Sequence, residues 1–297
     1  MDLTKMYYYF RSPLWWRYER RRRILPVWLR NHTDRLFRAY ELWRVSNGVT
    51  RVMGPRFSRS RTLLEIDLNY TCTLKCAGCN RSIDKAPSDE RISLEQIQQL
   101  INESVRSNYR WSGIRILGGE PTLHPQFREI IDMLREYKKT HLPYMRITVI
   151  SNGYTEHTRE MLKNLPHTVL VENTAKTSNA DRDFDVFSVA PVDEPDHKNS
   201  DFRNGCWIMQ GLGMGLTPRG YYYCVIAGNV DRIFNFGLAR DTIPGKDDPM
   251  HDEMQKLCAL CGHFCVAVNK GHEREMLSPS WRDAYAAWQS QNKVQAQ

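Results

Sequence analysis

Leu63-Leu64-Glu65-Ile66-Asp67-Leu68 leads, after three more residues, into Cys72-Thr73-Leu74-Lys75-Cys76-Ala77-Gly78-Cys79. The first run is short, apolar and strand-like. The second places three thiols within eight residues. Thiolates are the usual ligands of iron–sulfur clusters, so three of them can hold three irons of a 4Fe–4S cluster and leave the fourth open. Zinc is the competing reading, but structural zinc is normally closed by four ligands in C-x2-C-type sets. No fourth cysteine or histidine lies close to this triplet. Eight cysteines in 297 residues do not make a disulfide-dense scaffold either. A second strand-like run, Gly113-Ile114-Arg115-Ile116-Leu117, delivers Gly118-Gly119-Glu120-Pro121 at its C-terminal end. In barrels of parallel strands the active site lies at that end, and glycines let backbone approach a ligand closely.

The C-x3-C-x2-C triplet followed by this GGE turn resembles the radical S-adenosylmethionine (radical SAM) superfamily. The resemblance implies that the open iron chelates the amino and carboxylate groups of SAM. Reduction then splits SAM into methionine and a 5′-deoxyadenosyl radical. It puts Cys72, Cys76 and Cys79 on the cluster and gives Gly118, Gly119 and Glu120 the methionine amino group. Ser151-Asn152-Gly153, at the end of another strand-like run, matches a turn that often lines the SAM site, although Asn-Gly after a strand is commonly just a turn. Glu172 ends the next strand, where family members place groups that bind the SAM ribose. One departure stands out: the family often has an aromatic residue just before the last cysteine, and this chain has Gly78.

From residue 62 onward, strand and helix patterns alternate, as in a parallel sheet with crossover helices. Ser93 and Gln96 form a capping box ahead of the apolar positions Leu94, Ile97, Leu100, Ile101 and Val105. Pro125 suits the first turn of a helix whose apolar face is Phe127, Ile130, Ile131 and Leu134. Met145 to Ile150 reads as a strand, 156–164 as a helix and 168–171 as a strand. Only about 35 residues then separate Val171 from Cys206, too few for two more β/α units. Phe184 to Val192 suits one further strand, and polar Asp193 to Asn204 reads as a linker. The expected fold is α/β: a partial (β/α) barrel of the radical SAM type, truncated. The expected divisions are a basic helical arm over 1–61, the barrel over 62–200 and an auxiliary-cluster domain over 201–297.

The last division rests on Cys206, Cys224, Cys258, Cys261 and Cys265. Cys258-Ala-Leu-Cys261 is a C-x2-C pair, and Gly220-Tyr-Tyr-Tyr-Cys224 suggests a turn and strand. This set is similar to the twitch and SPASM extensions of radical SAM enzymes. Those extensions use a cysteine, nine to fifteen residues, a glycine, four residues and a cysteine. Thirteen residues separate Cys206 from Gly220, but only three separate Gly220 from Cys224. The short twitch form implies Cys206, Cys224, Cys258 and Cys261 as ligands of a second 4Fe–4S cluster; zinc is the alternative. Cys265 is left over as inert core, as a substitute ligand, or as a hydrogen-atom donor to a substrate radical. Trp281, Tyr285 and Trp288 suggest a closing helix, and the tail after Gln289 is expected to fray.

The charge is uneven. The chain carries +8, yet residues 1–61 alone carry +11, with 14 Arg, and the remainder −3. The arm opens with Tyr7-Tyr8-Tyr9-Phe10, Trp15-Trp16 and Arg20 to Arg23; Thr33 suggests a helix cap, Leu36, Phe37, Tyr40 and Trp43 an apolar face, and Gly48 a stop. Such an arm can pack on the barrel, lie on an anionic membrane surface, or bind a polyanion, although it matches no nucleic-acid module. No apolar run is long enough to span a membrane, the basic start lacks the apolar stretch of a signal peptide, and free thiols suit a reducing cytoplasm. The implied cofactors are two 4Fe–4S clusters and SAM. The implied partners are a small-molecule substrate, sugar-like or anionic, and an electron donor such as flavodoxin or ferredoxin. Oxidation is the leading outcome. Epimerisation through Cys265 and ribosomal-peptide modification are the enzymatic alternatives, and a metal-stapled polyanion-binding adaptor the non-enzymatic one.

Overall fold

The computed structural model describes residues 26–76, 78–178, 187–264 and 277–295. Four parallel strands come first: β1 (Leu63–Asp67), β2 (Gly113–Leu117), β3 (Arg146–Ser151) and β4 (Val169–Asn173). Three helices connect them: α3 (Leu94–Arg106), α4 (Phe127–His141) and α5 (Glu156–Lys163). They follow α1 (Val27–Arg44) and α2 (Asn47–Met53) near the N-terminus. The chain then returns to the far side of β1 with β5 (Met214–Thr217), parallel to it, and closes with β6 (Gly220–Tyr222), antiparallel to β5. The strand order is β4-β3-β2-β1-β5-β6, an open sheet. This is the truncated partial barrel that the alternating pattern predicts.

Alternation along the strands sets the layers. Leu64 and Ile66, Ile114 and Ile116, Ile147 and Val149, and Met214 and Leu216 are all buried, in one core with Ile97 and Leu100 of α3 and Phe127, Ile130 and Leu134 of α4. Each such side chain contributes about 1.5–3 kcal/mol by leaving water. The capping box forms: the Ser93 hydroxyl accepts from the Gln96 amide, and the Gln96 side chain accepts from the Ser93 amide. A second core surrounds α7 (Val225–Phe234) and takes in Phe187, Met209, Trp281 and Tyr285. Here a Cβ added to Gly215 would lie 2.4 Å from Val225 Cα, so β5 and α7 are in backbone contact. The remaining helices are α6 (Trp207–Gly211), α8 (His251–Leu257) and α9 (Pro279–Gln295).

Several local expectations are corrected. Helix α1 begins at Val27 after Pro26, so Thr33 lies inside it and is not a cap. Gly48 stops nothing; it sits in α2. Pro125 precedes the Gln126 cap of α4 rather than entering its first turn. Phe184 to Val192 forms no strand in its described part, which begins at Phe187; Phe187 is buried and Pro191–Asp193 is a 3-10 turn. Asp193 to Asn204 is no loose linker. Its 3-10 turns bury His197, Asp201 and Asn204 and bridge back to Ser46 through Ser200. The closing helix runs on to Gln295. The sheet also crosses the 200/201 boundary, because β5 and β6 extend it.

Candidate active site at the C-terminal rim of the sheet

Because β1 to β4 are parallel, their C-terminal ends share one rim. The cysteine loop leaves β1 there and is seated on the turn after β2. The Gly119 amide donates to Asn69 O (2.8 Å) and the Glu120 amide to Thr71 O (2.8 Å). The glycines are required by this contact. A Cβ on Gly119 would fall 2.1 Å from Thr71 O, and one on Gly118 2.5 Å from Asn69 O. Gly118 also has φ +134, a left-handed conformation that favours glycine. The departure at Gly78 has a similar reason: its φ is +71, and an aromatic residue there would be strained.

Glu120 is fully buried and ties three rim segments together. Its Oε1 accepts from the Thr122 hydroxyl (2.9 Å) and the Ser151 hydroxyl (2.9 Å), and its Oε2 from the Asn152 amide (2.9 Å). That fixes Asn152, whose side-chain amide reaches Cys72 Sγ at 3.5 Å and Thr73 Oγ1 at 3.2 Å. Gly153 turns the chain with φ +60, packed against the Asn173 side chain. The Cys72 thiol is pushed up to about 11 by burial, with Cys79, Glu120 and Cys76 adding to it, while the Leu74 amide donates to its sulfur. Lys176, which the sequence reading did not single out, brings Nζ to 3.8 Å from Cys76 Sγ. It lies three residues past the end of β4, and that rim position was its available signal. Glu172 faces the same side as Glu65, and Arg115 lies between them, 3.7 Å and 3.4 Å away.

A buried polar network holds the exit of the cysteine loop. Arg81 pairs with Asp67 at the end of β1 at 3.1 Å. Ser82, with φ +54, hydrogen-bonds Asn229 Nδ2 at 3.0 Å and Tyr285 OH at 2.7 Å. Arg232 donates to Arg81 O (2.9 Å) and Ala86 O (3.0 Å) and lies over the Tyr70 ring at 4.3 Å. Helices α7 and α9 therefore grip the loop three residues beyond Cys79.

Cys224, at the start of α7, belongs to the second thiol set. Cys224 and Cys258 lie in the second core, with Cys206 and Cys261 packed against it, and the Cys224 thiol is pushed well up by burial and then by the other three. Burial raises Cys206 to about 11 and Cys261 to about 12. Cys206 and Cys224 each cap a helix, and Cys224 Sγ accepts from the Ala227 amide at 3.4 Å. Tyr223 OH lies 3.1 Å from Cys258 Sγ. The seven described cysteines are free of disulfides. Among the described residues, no three His, Cys, Asp or Glu side chains close around a single metal ion. Cys265 lies outside the described residues.

An open parallel sheet with a thiol triplet, a glycine turn and a buried glutamate at its C-terminal rim defines a recognisable class. Residues 66–181 match the family model of the Radical SAM superfamily, so the chain carries a radical SAM domain. The cofactors of that family are a 4Fe–4S cluster and SAM. Among curated proteins, a GTP 3′,8-cyclase of Haemophilus ducreyi is 31% identical over 101 residues, which is 33% of this chain and 28% of that protein. The mycofactocin maturase MftC of Mycobacterium ulcerans is 38% identical over 66 residues, 22% of this chain and 17% of that one. The chain thus covers less than a third of either relative. Among solved structures, BtrN in complex with AdoMet and 2-DOIA aligns with a TM-score of 0.43 and 14% identity, covering 74% of this chain and 98% of that one.

Proposed function

We propose that the protein is a radical SAM enzyme that oxidises a carbohydrate-like small molecule with the help of an auxiliary cluster. The observation that carries this reading is the joint between the two thiol sets: α7 starts at Cys224 and, one turn on, Asn229 holds Ser82 beside the Cys72–Cys79 loop. The donor chemistry fits. Asn152 reaches Cys72 and Lys176 reaches Cys76 in the first thiol set; in the second, Cys224 and Cys258 are buried, Cys206 and Cys261 half-buried against the same core, and Cys224 has an amide donor. Cys72, Cys76 and Cys79 would hold the SAM-binding cluster, whose chemistry, once reduced, would be cleavage of SAM to methionine and a 5′-deoxyadenosyl radical. Gly118 to Glu120 and Ser151-Asn152 orient SAM: Glu120 acts by fixing the backbone of Asn152, and the Asn152 amide faces the first cysteine. Glu172, at the end of β4 and 3.7 Å from Arg115, is the group turned toward the SAM ribose. Cys206, Cys224, Cys258 and Cys261 would hold a second cluster, which would supply a one-electron acceptor for the oxidation. A flavodoxin or ferredoxin is the reductant.

If Tyr223 OH donates to a cluster ligand through Cys258, removing it makes that cluster harder to reduce, because hydrogen bonds to the sulfurs set the potential. Tyr223→Phe is expected to lower the midpoint potential of the auxiliary cluster in an EPR-monitored redox titration and to leave the SAM-binding cluster unchanged. An unshifted potential rejects that role.

Epimerisation by a thiol donor at Cys265 is the second reading, and it is kept because the other four C-terminal cysteines suffice for a cluster. Turnover in heavy water separates the two. Oxidation gives a product two hydrogens lighter, still formed by Cys265→Ala. Solvent deuterium at the reacting carbon, lost with turnover in that variant, would establish epimerisation. The relatives bear the names of a GTP cyclase and a mycofactocin maturase, so what they support is the radical-generating half alone. Failure of the reduced protein to release 5′-deoxyadenosine from SAM, with its cluster intact, would reject the enzyme and leave the adaptor.

A further inference from the structure

Helix α1 is amphipathic the wrong way round for a helix packed on a core. Among its described side chains the buried one is Glu41, paired with Arg56. Arg44, half-buried, donates to Gly54 O, and Arg38 pairs with Asp196 at the surface. Just beyond the helix, Asn47 meets Asn199, and Ser46 bridges to Ser200. Outward, at i, i+4 and i+7, stand Leu36 (59% exposed), Tyr40 (41%) and Trp43 (54%). The two aromatic rings sit 6.0 Å apart. The next helix, α2, exposes Val52 and Met53 as well. A surface helix ordinarily turns its apolar stripe to the core; this one turns ionic groups inward and aromatics to solvent.

Charge says what the exposed face suits. Residues 26–61 carry +6, within the +11 of residues 1–61, whereas residues 62–297 carry −3. Arg35, Arg51 and Arg61 are exposed. Trp and Tyr favour the membrane–water interface, and basic residues near an anionic leaflet add attraction within a Debye length. Among the described residues no helix is long and apolar enough to cross a membrane, so the contact lies in the plane of the interface. We propose that α1, with Leu36, Tyr40 and Trp43 inserted, docks the protein on an anionic lipid surface. The buried Glu41–Arg56 pair and the Arg44 bond to Gly54 O seat the helix so that it presents that face, and the enzyme then works on substrate at or near the bilayer.

The test is co-sedimentation of the full-length protein with vesicles of pure phosphatidylcholine and with vesicles containing about 30% phosphatidylglycerol. Binding to the anionic vesicles is expected to be at least about tenfold tighter at 0.1 M salt and to weaken sharply at 1 M. The double variant Tyr40→Ser, Trp43→Ser is expected to lose a further tenfold or more of partition, since its interfacial aromatics are gone, while SAM cleavage is unchanged. Absence of vesicle binding overturns the proposal, as does equal binding by the double variant. Binding to a single-stranded RNA but to neither vesicle would make the arm a polyanion site. A wild-type dimer that becomes monomeric in the double variant would make the face a contact between two copies. The vesicle, RNA and oligomer readouts do not depend on cluster chemistry, so the docking claim stands or falls apart from the proposed reaction.

Discussion

Protein carrying Cys76→Ala, reduced anaerobically and supplied with SAM, is expected to release no 5′-deoxyadenosine above background. Cys76 is buried in the loop seated on the Gly119–Glu120 turn, with Lys176 at 3.8 Å from its sulfur. Losing an outer-shell partner of a metal ligand typically costs about 10–100-fold; losing one of three thiolates removes the anchor itself, so the loss should exceed that range. Glu120→Ala should be milder. It leaves every thiol in place but frees the Ser151 hydroxyl and the Asn152 amide from their shared carboxylate. SAM affinity should weaken before cluster content falls. Full SAM cleavage by Cys76→Ala would show that the triplet is not the cluster site.

Gly119→Ala is expected to destabilise the fold by about 3 kcal/mol or more, because it adds a clash and breaks buried backbone hydrogen bonds. The added methyl would meet Thr71 O at 2.1 Å and Thr71 C at 2.7 Å, backbone atoms that cannot rotate aside. Relief requires lifting the cysteine loop off the turn, which breaks the bonds from the Gly119 and Glu120 amides. For a chain of this size that corresponds to a fall of about 5 °C or more in Tm, measurable by thermal denaturation before any cofactor is added. Gly48→Ala is the contrast. It lies in α2 with nothing within 4 Å of the new methyl, so it should stabilise by about 0.5–1 kcal/mol through helix propensity. Equal behaviour of the two variants would show that the loop does not sit on the turn.

The elements legible in advance were those whose signal is local. β2 is bounded by Gly113 and the glycine turn, α3 by its capping box, and α5 by Thr155, whose hydroxyl accepts from the Thr158 amide. The run Gly220 to Tyr222 is a strand, as the turn-and-strand reading predicts. What escaped depends on long-range packing. Met214–Thr217 is only four residues long and is made a strand by pairing with β1, 150 residues earlier in the chain. Thr217-Pro218-Arg219-Gly220 held a turn signal that pointed to a hairpin. Asp193 to Asn204 looked like a linker because it is polar, yet its Asn204 side chain reaches Thr50 at 2.6 Å and Asp201 O at 2.8 Å. A polar residue satisfied from distant backbone looks, in sequence, like one satisfied by water. The same limit hid Ser82, Asn229 and Arg232, whose roles appear only when α7 is laid against the cysteine loop. It also hid the inversion of α1, since periodicity identifies an apolar face without saying which way it points.

The most direct test of the account is iron, acid-labile sulfide and zinc analysis of anaerobically purified protein, alone and with Cys72, Cys76 and Cys79 all replaced by alanine. Two clusters require about eight irons and eight sulfides per chain, falling to about four of each in the triple variant as the auxiliary set keeps its own. Zinc without sulfide in the wild-type protein would contradict the account and leave a metal-stapled fold without radical chemistry.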